Sequence, residues 1–422
     1  MTFNILDYGA KVNGELCTEN IQRAIDDCFL QGGGEVVIPS GVYYTGGLRL
    51  RSNVTLHLLE NAILKGSIDP EDYCTYLQDK IEPISKAEIE SFVPTFNLVE
   101  GVTVCRSAYP YSRWNNAIIR AINAKNIAII GEKGSEIDGQ NCYDPLGEEN
   151  YRGPHAINMW FCENVTLRGY TVRDSANWAH AIQNSKNIMA KNLTVLAGHD
   201  GFDVRTCDDI LVEDCRFLTG DDCIAGFDNI AVVIRNCYFE SACSMLRFGG
   251  TDVLVENCQG KAPATYGFRG FLSMEDKKNR SNHTENCRHS CHNVFLYYCD
   301  NRAKIRNAPG NIVIKNSNFT GTDSVMRLPF GHVWCCNRSL DDITFENCVI
   351  EGVYIPMQFQ CPANEPLTLT MKNCKITPRE GWQDMHFIEG ENVEKIHLQK
   401  VDMTAFKNPR ILCNPQPEII IE

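Results

Sequence analysis

The chain has 422 residues and a formal net charge of −13, with 43% hydrophobic and 22% charged residues. That balance suits a globular protein and excludes a disordered one, and the lack of any basic tract argues against nucleic acid or anionic membrane as partners. The first residues, Met1-Thr2-Phe3-Asn4-Ile5-Leu6-Asp7, have neither a basic n-region nor an apolar h-region, and no later apolar run reaches membrane-spanning length. No export signal is therefore expected. The 21 cysteines are odd in number and form no short-chain disulfide pattern, so a reducing compartment, the cytoplasm, is the expected location.

In chain order, Thr18 caps a predicted helix whose apolar positions Ile21, Ala24, Ile25, Cys28 and Phe29 follow helical spacing. Gln31-Gly32-Gly33-Gly34 stops it. Because these glycines follow a helix instead of opening one, they read as a tight turn and not as a phosphate cradle. Short strands are expected at Glu35-Val36-Val37-Ile38, Val42-Tyr43-Tyr44 and Val54-Thr55-Leu56-His57-Leu58. Residues 67–114 then break the pattern with Pro70, Pro83, Pro94 and Pro110 beside Tyr109, Tyr111 and Trp114, an excursion that is either a surface insertion or the wall of a site.

From Asn115 onward the chain repeats itself. Branched runs recur after an Asn or Asp, and Asp214-Cys215, Asn236-Cys237, Asn257-Cys258, Asn347-Cys348 and Asn373-Cys374 form a second marker, with Tyr298-Cys299 fitting the same register. A period near 22 residues with short strands and no helical pattern predicts an all-β, single-stranded right-handed parallel β-helix. It is expected to span residues 1–422 as one domain, with a cap over about 1–50 and insertions at about 67–114 and 259–298. The chain lacks the leucine spacing of leucine-rich repeats and the roughly eight amphipathic helices of an α/β barrel. The Cys marker predicts a column of small buried side chains, equivalent positions lying about 4.8 Å apart from rung to rung.

Asp200, in His199-Asp200-Gly201, precedes the pair in Gly220-Asp221-Asp222-Cys223 by 21 and 22 residues, one rung. Carboxylates one or two rungs apart are separated by roughly 5–10 Å, which covers the 6.5–9.5 Å or so that inverting glycosidases hold between acid and base. Crowded carboxylates raise one another's pKa, as a general acid requires. Turn aspartates also cap backbone N–H groups, and such clusters also hold Ca²⁺, so both readings stand beside the catalytic one.

The chain resembles the polygalacturonase-type glycoside hydrolases of family 28. The likeness is carried by Tyr8-Gly9-Ala10, Gly32-Gly33-Gly34 and Pro39-Ser40-Gly41, and more specifically by Ile137-Asp138-Gly139-Gln140, Asn177-Trp178, Asp200-Gly201-Phe202-Asp203 and Gly220-Asp221-Asp222. The resemblance implies that Asp221 protonates the glycosidic oxygen while Asp200 and Asp222 hold and deprotonate the water, inverting the anomeric centre without a cofactor. Gly198-His199 stands where the family has Asn-Thr, and Ala242-Cys243-Ser244 where it has Gly-His-Gly. The uronate-binding Arg-Ile-Lys aligns with Arg269-Gly270-Phe271, keeping Arg and losing Lys; Arg247, Lys304 and Arg306 are further cations. The expected substrate-binding set is His199, Asp203, Trp178, Arg247 and Arg269.

Cys287-Arg288-His289-Ser290-Cys291-His292, with His283 and Cys335-Cys336, partly meets zinc-site spacing, but reads better as part of the 259–298 insertion overhanging the active face; no metal is assigned. Among the aromatics Trp114, Trp160, Trp178, Tyr266, Phe271 and Trp334, Trp178 is best placed to stack on a sugar. The expected function is an inverting, exo-acting hydrolase of galacturonate- or rhamnogalacturonan-derived oligosaccharides. The alternatives are a lyase on the same scaffold, or a carbohydrate-binding β-helix without activity.

Overall fold

A computed structural model describes residues 1–73, 79, 81–82, 110–281, 287–300, 305–330 and 338–422. The fold is the expected parallel β-helix: among the described residues successive rungs pair in parallel, in two sheets. The chain divides into two compact units. The first runs to Asp203 and includes the segment from Gly267 to Cys287; the second holds Val204–Tyr266 and Arg288–Glu422.

In the first unit Ile157 pairs with His180, Glu163 with Lys186 and Thr171 with Thr194, a rung of 23 residues. In the second, Asp208 pairs with Ile230 and Arg216 with Tyr238, a rung of 22, and Val232 with Val253, a rung of 21. Alternation along each strand selects the face that is buried: in Val54–Leu58 the Val, Leu and Leu are buried while Thr55 and His57 are half-exposed. Stacking turns those positions into interior columns. Phe217 lies on Phe239 with ring centroids 6.0 Å apart, one rung to the next.

The Asn/Asp-Cys marker has a backbone cause. Asp214, Asn236, Asn257, Asn347 and Asn373 sit at rung corners with φ of 50° to 55°, the left-handed region that short polar side chains tolerate best after glycine. Their amides also bond up the column, Asn236 Nδ2 donating to Asp214 Oδ1 at 3.1 Å and Asn373 Nδ2 to Asn347 Oδ1 at 3.1 Å. The next residue turns inward, so Cys215, Cys237, Cys258, Cys348 and Cys374 are buried. Asn236→Ala is expected to lose about 1 kcal/mol and Asn236→Gly less, because glycine keeps the corner and loses only the exposed amide bond. Equal losses in thermal melts of the two variants would show that the corner conformation is not what the asparagine supplies.

Tyr298-Cys299 does not belong to this column. After Asn257-Cys258 the marker position passes to Asn316-Ser317, whose Ser Oγ accepts from Cys258 N at 3.0 Å and whose Asn Oδ1 accepts from Asn347 Nδ2 at 3.0 Å. Serine fills the column with a side chain of cysteine's shape, which hid the register. Tyr298 follows the strand Asn293–Tyr297, on a different sheet position.

The N-terminal helix spans Thr18–Leu30 and buries Ile21, Ala24, Ile25 and Cys28. Its cap residue is Cys17, without a side-chain cap bond; Thr18 Oγ1 instead accepts from Gly46 N at 2.7 Å. The triple glycine is a turn, as expected. A Cβ on Gly33, at φ +106°, would lie 2.4 Å from Asn53 O, a backbone approach open only to glycine. Within the 67–114 excursion, Asp79 is clasped by Arg49 and Arg51, and Glu82 by the same two arginines. Pro83, Pro94 and Tyr109, and the site-wall reading resting on them, lie outside the described residues. Among the described residues no helix is long and apolar enough to cross a membrane.

Candidate active site

The acidic pair of the second unit sits in the turn between the strands Arg216–Thr219 and Ile224–Arg235. Two hydroxyls fix the turn through one carbonyl: Thr219 Oγ1 and, from the following rung, Ser241 Oγ donate to Asp221 O at 2.7 and 2.8 Å. The next rung also grips Asp222, whose Oδ1 accepts from Ser244 N at 3.0 Å. Asp222 is buried and Asp221 half-buried. Both carboxylates and Cys243 Sγ lie within 4.8 Å of one another. Burial, then Asp222 and Asp221, push the Cys243 thiol far above its usual range.

Arg247 points to the same place, its Nη1 3.7 Å from Asp222 Oδ2 and its guanidinium 3.8 Å above the Tyr298 ring. Burial first and the Asp221 charge second raise the Asp222 carboxyl to about 7, against the pull of Arg247. The pair therefore holds a proton at pH values where free aspartate has lost it. The folded protein binds that proton more tightly than the unfolded chain, so this site's stability is full below about pH 3.9 and is lost as pH rises towards 7. Asp222→Asn, neutral throughout and still able to accept from Ser244, is expected to gain in melting temperature relative to the parent as pH rises from 4 to 8. A difference that stays flat over that range would show that Asp222 titrates normally.

In the first unit, His199 and Asp200 are buried at 3% exposure each and Asp203 at 1%. Asp200 O accepts from Ala179 N at 2.8 Å, tying its turn to the preceding rung. His199 is held neutral: burial first, then the charges of Arg152, Arg269, Lys277 and His155, drive its pKa far below the usual range. Trp178 is only 6% exposed and packs edge-on against Trp114, ring centroids 5.6 Å apart. That burial favours a wall over a stacking platform. Trp160 is fully buried.

Arg269 is not on a strand. It opens a short 3-10 helix, Arg269–Phe271, and lies across Gly198, its N donating to Gly198 O at 3.2 Å. The position that pairs with Arg247 one rung on is Leu296, in Asn293–Tyr297. Arg306 is held by Asp208 at 2.9 Å and Asp228 at 3.0 Å; Lys304, His283, Trp334 and Cys335-Cys336 lie outside the described residues. In the cysteine-histidine cluster, His289 Nδ1 is 2.9 Å from Ala264 O and His292 Nδ1 is 3.2 Å from Asp323 Oδ2. Among the described residues no group of three metal-ligating side chains forms there. Sequence reasoning missed Arg152 and Lys277, which stand in no motif; Lys277 sits in a five-residue polar helix, Met274–Lys278, too short to show periodicity.

Residues 95–243 match the model of glycosyl hydrolases family 28. A probable polygalacturonase from Vitis vinifera is 25% identical over 245 residues, 54% of this chain and 45% of the relative. An exo-poly-alpha-D-galacturonosidase from Dickeya chrysanthemi is 28% identical over 249 residues, 52% of this chain and 41% of the relative. The chain thus spans less than half the length of these curated relatives. The crystal structure of an exopolygalacturonase from Thermotoga maritima superposes with a TM-score of 0.64 at 18% identity, covering 90% of this chain and 88% of that one. That likeness is one of fold, the right-handed parallel β-helix. The matched segment contains Asp200, Asp221 and Asp222, and over it the chain is similar to the glycosyl hydrolases of family 28.

Proposed function

We propose that the protein hydrolyses glycosidic bonds in pectin-type oligosaccharides, derived from galacturonan or rhamnogalacturonan, acting from a chain end and inverting the anomeric centre. The observation that carries this reading is the Asp221-Asp222 turn. One carboxyl is buried and keeps its proton towards neutrality, its neighbour is half-exposed, and both lie in the stretch that matches the hydrolase family. Such a pair shares a proton that it keeps towards neutrality, and its half-exposed member can pass that proton to the leaving oxygen while the buried carboxylate stays beside the water. Asp221 is the proposed acid. Asp222 and, one rung earlier in sequence, Asp200 are the proposed holders of the attacking water. Exo action is supported by the similarity to the Dickeya chrysanthemi exo-poly-alpha-D-galacturonosidase.

The test is incubation with defined oligogalacturonides and rhamnogalacturonan fragments, with NMR of the first-formed anomer. Inverted product released from one end is expected; retained configuration, or an unsaturated product absorbing in the near ultraviolet, would replace this mechanism with another. We also propose a reducing compartment, supported by the column of buried cysteines that includes Cys237, Cys258, Cys348 and Cys374.

A further inference from the structure

Within the second unit, the corner that carries the acid pair continues beyond it. Asp221 and Asp222 precede the strand Ile224–Arg235, and the same rung corner recurs before Ser244–Glu256, Asn293–Tyr297, Ser324–Leu328, Met357–Gln360 and Ile388–Glu391. Backbone bonds stack these corners. His292 N donates to Cys243 O at 2.6 Å, Asp323 N to Cys291 O at 2.8 Å, and Tyr354 N and Ile355 N both donate to Asp323 O, at 3.0 and 2.9 Å. Cys243 Sγ is itself within 4.8 Å of both acid-pair carboxylates.

Side chains carry the line further. Asp323, 4% exposed, meets His292 Nδ1 at 3.2 Å through Oδ2 and Arg379 Nη2 at 3.9 Å through Oδ1. The Arg379 guanidinium lies 4.0 Å above the Tyr354 ring, and Nη2 donates to Gly321 O at 3.4 Å, so the Tyr354 ring is held from one side. Trp382 packs beside the same ring, centroids 5.3 Å apart. A turn fixes its backbone, Trp382 N donating to Arg379 O at 3.0 Å with Gly381 at φ +87°. Even so, Trp382 is 50% exposed. A large ring held in place with half its surface in water gains by being covered with something apolar.

We propose that Tyr354 and Trp382 form a distal platform on which a sugar ring of the substrate chain stacks its C–H face. The platform rests on the proposed function and adds chain length to what the site reads. Counting corners Asp221, Cys243, His292, Asp323 and Tyr354, the platform begins four rungs from the acid pair, roughly 19 Å at about 4.8 Å per rung. A saccharide laid along the corner meets carboxyl groups at one end, the His292 imidazole on the way and the aromatic pair at the other, a few polar contacts and one apolar surface. A disaccharide bound at the acids is too short to reach the platform; a chain of several sugars spans the distance.

The test is calorimetric binding of galacturonan and rhamnogalacturonan oligosaccharides, from disaccharide to hexasaccharide, to the Asp221→Asn protein, with and without Trp382→Ala or Trp382→Phe. In one series the hexasaccharide is expected to bind at least tenfold more tightly than the disaccharide. Trp382→Ala is expected to remove that advantage and Trp382→Phe, which keeps a ring, to retain most of it. Melting temperatures within a few degrees of the parent's check that both variants fold. Binding that does not strengthen with length in either series, a hexasaccharide held as tightly by Trp382→Ala as by its parent, or a loss equal for disaccharide and hexasaccharide overturns the platform. Turnover by the otherwise unsubstituted protein separates the two claims. Hydrolysis without an advantage for longer chains leaves the proposed function and removes the platform; binding that depends on both length and Trp382, without hydrolysis, leaves the platform and removes the proposed function.

Discussion

Asp221→Asn is expected to lower kcat/KM on a pectic oligosaccharide by about 10²- to 10⁴-fold, the range over which positioned acid-base groups act. The melting temperature should stay within a few degrees of the parent's. What fixes this turn is the Asp221 carbonyl, which accepts from Thr219 and Ser241, and an asparagine keeps that carbonyl. Removing one carboxylate of a crowded pair also relieves Asp222 of its nearest like charge, so folding has nothing to lose. Activity alone should fall. Substrate binding should persist, because the proton donated to a leaving oxygen matters in the transition state and little in the ground state. A variant that retains more than about a tenth of the parent rate would show that Asp221 is not the acid; the exchange of roles with Asp222 is then the first alternative, since burial places the more tightly held proton there.

The rung was legible in the sequence because it is a local habit repeated. Each corner needs a left-handed residue and each inward position a small apolar one, so Asn-Cys recurs at 21 to 22 residues before any contact is known. The same logic misled at Tyr298-Cys299, where a cysteine outside the column was easier to see than the serine, Ser317, that continues it. The acid pair was legible for a different reason. Two adjacent carboxylates between glycine and cysteine make poor structural sense in a turn unless something uses them, and the structure shows one of them buried against a raised pKa. The cations acting on His199 were not legible. Lys277 and Arg152 belong to no repeat, and Arg269, matched to a three-residue motif, lies in a 3-10 helix, because an insertion can bring any side chain to a surface that its own sequence never mentions. Arg306 shows the converse: a cation near the acids in sequence is engaged by Asp208 and Asp228.

Gly226→Ala is expected to be the most damaging small substitution in the second unit, costing about 3–5 kcal/mol and lowering soluble yield. Gly226 lies four residues beyond Asp222 on the strand Ile224–Arg235, at φ +147°. A Cβ there would stand 1.8 Å from Val204 O and 2.8 Å from Val204 C, inside any allowed contact with backbone. Val204 cannot swing aside cheaply, because its carbonyl accepts from Asn229 Nδ2 at 2.9 Å, and the strand register shifts between Gly226 and Asn229 at this same point. Relaxing the clash would therefore disturb the bulge that follows the acid turn, and with it the geometry of Asp222. Gly381→Ala separates the two components of the cost. Gly381 also has a positive φ, +87°, but open space where a Cβ would go, so it should lose only the conformational part, about 1 kcal/mol. If thermal melts place the two alanine variants together, the close approach to Val204 is not what demands glycine at 226, and the backbone conformation alone explains both.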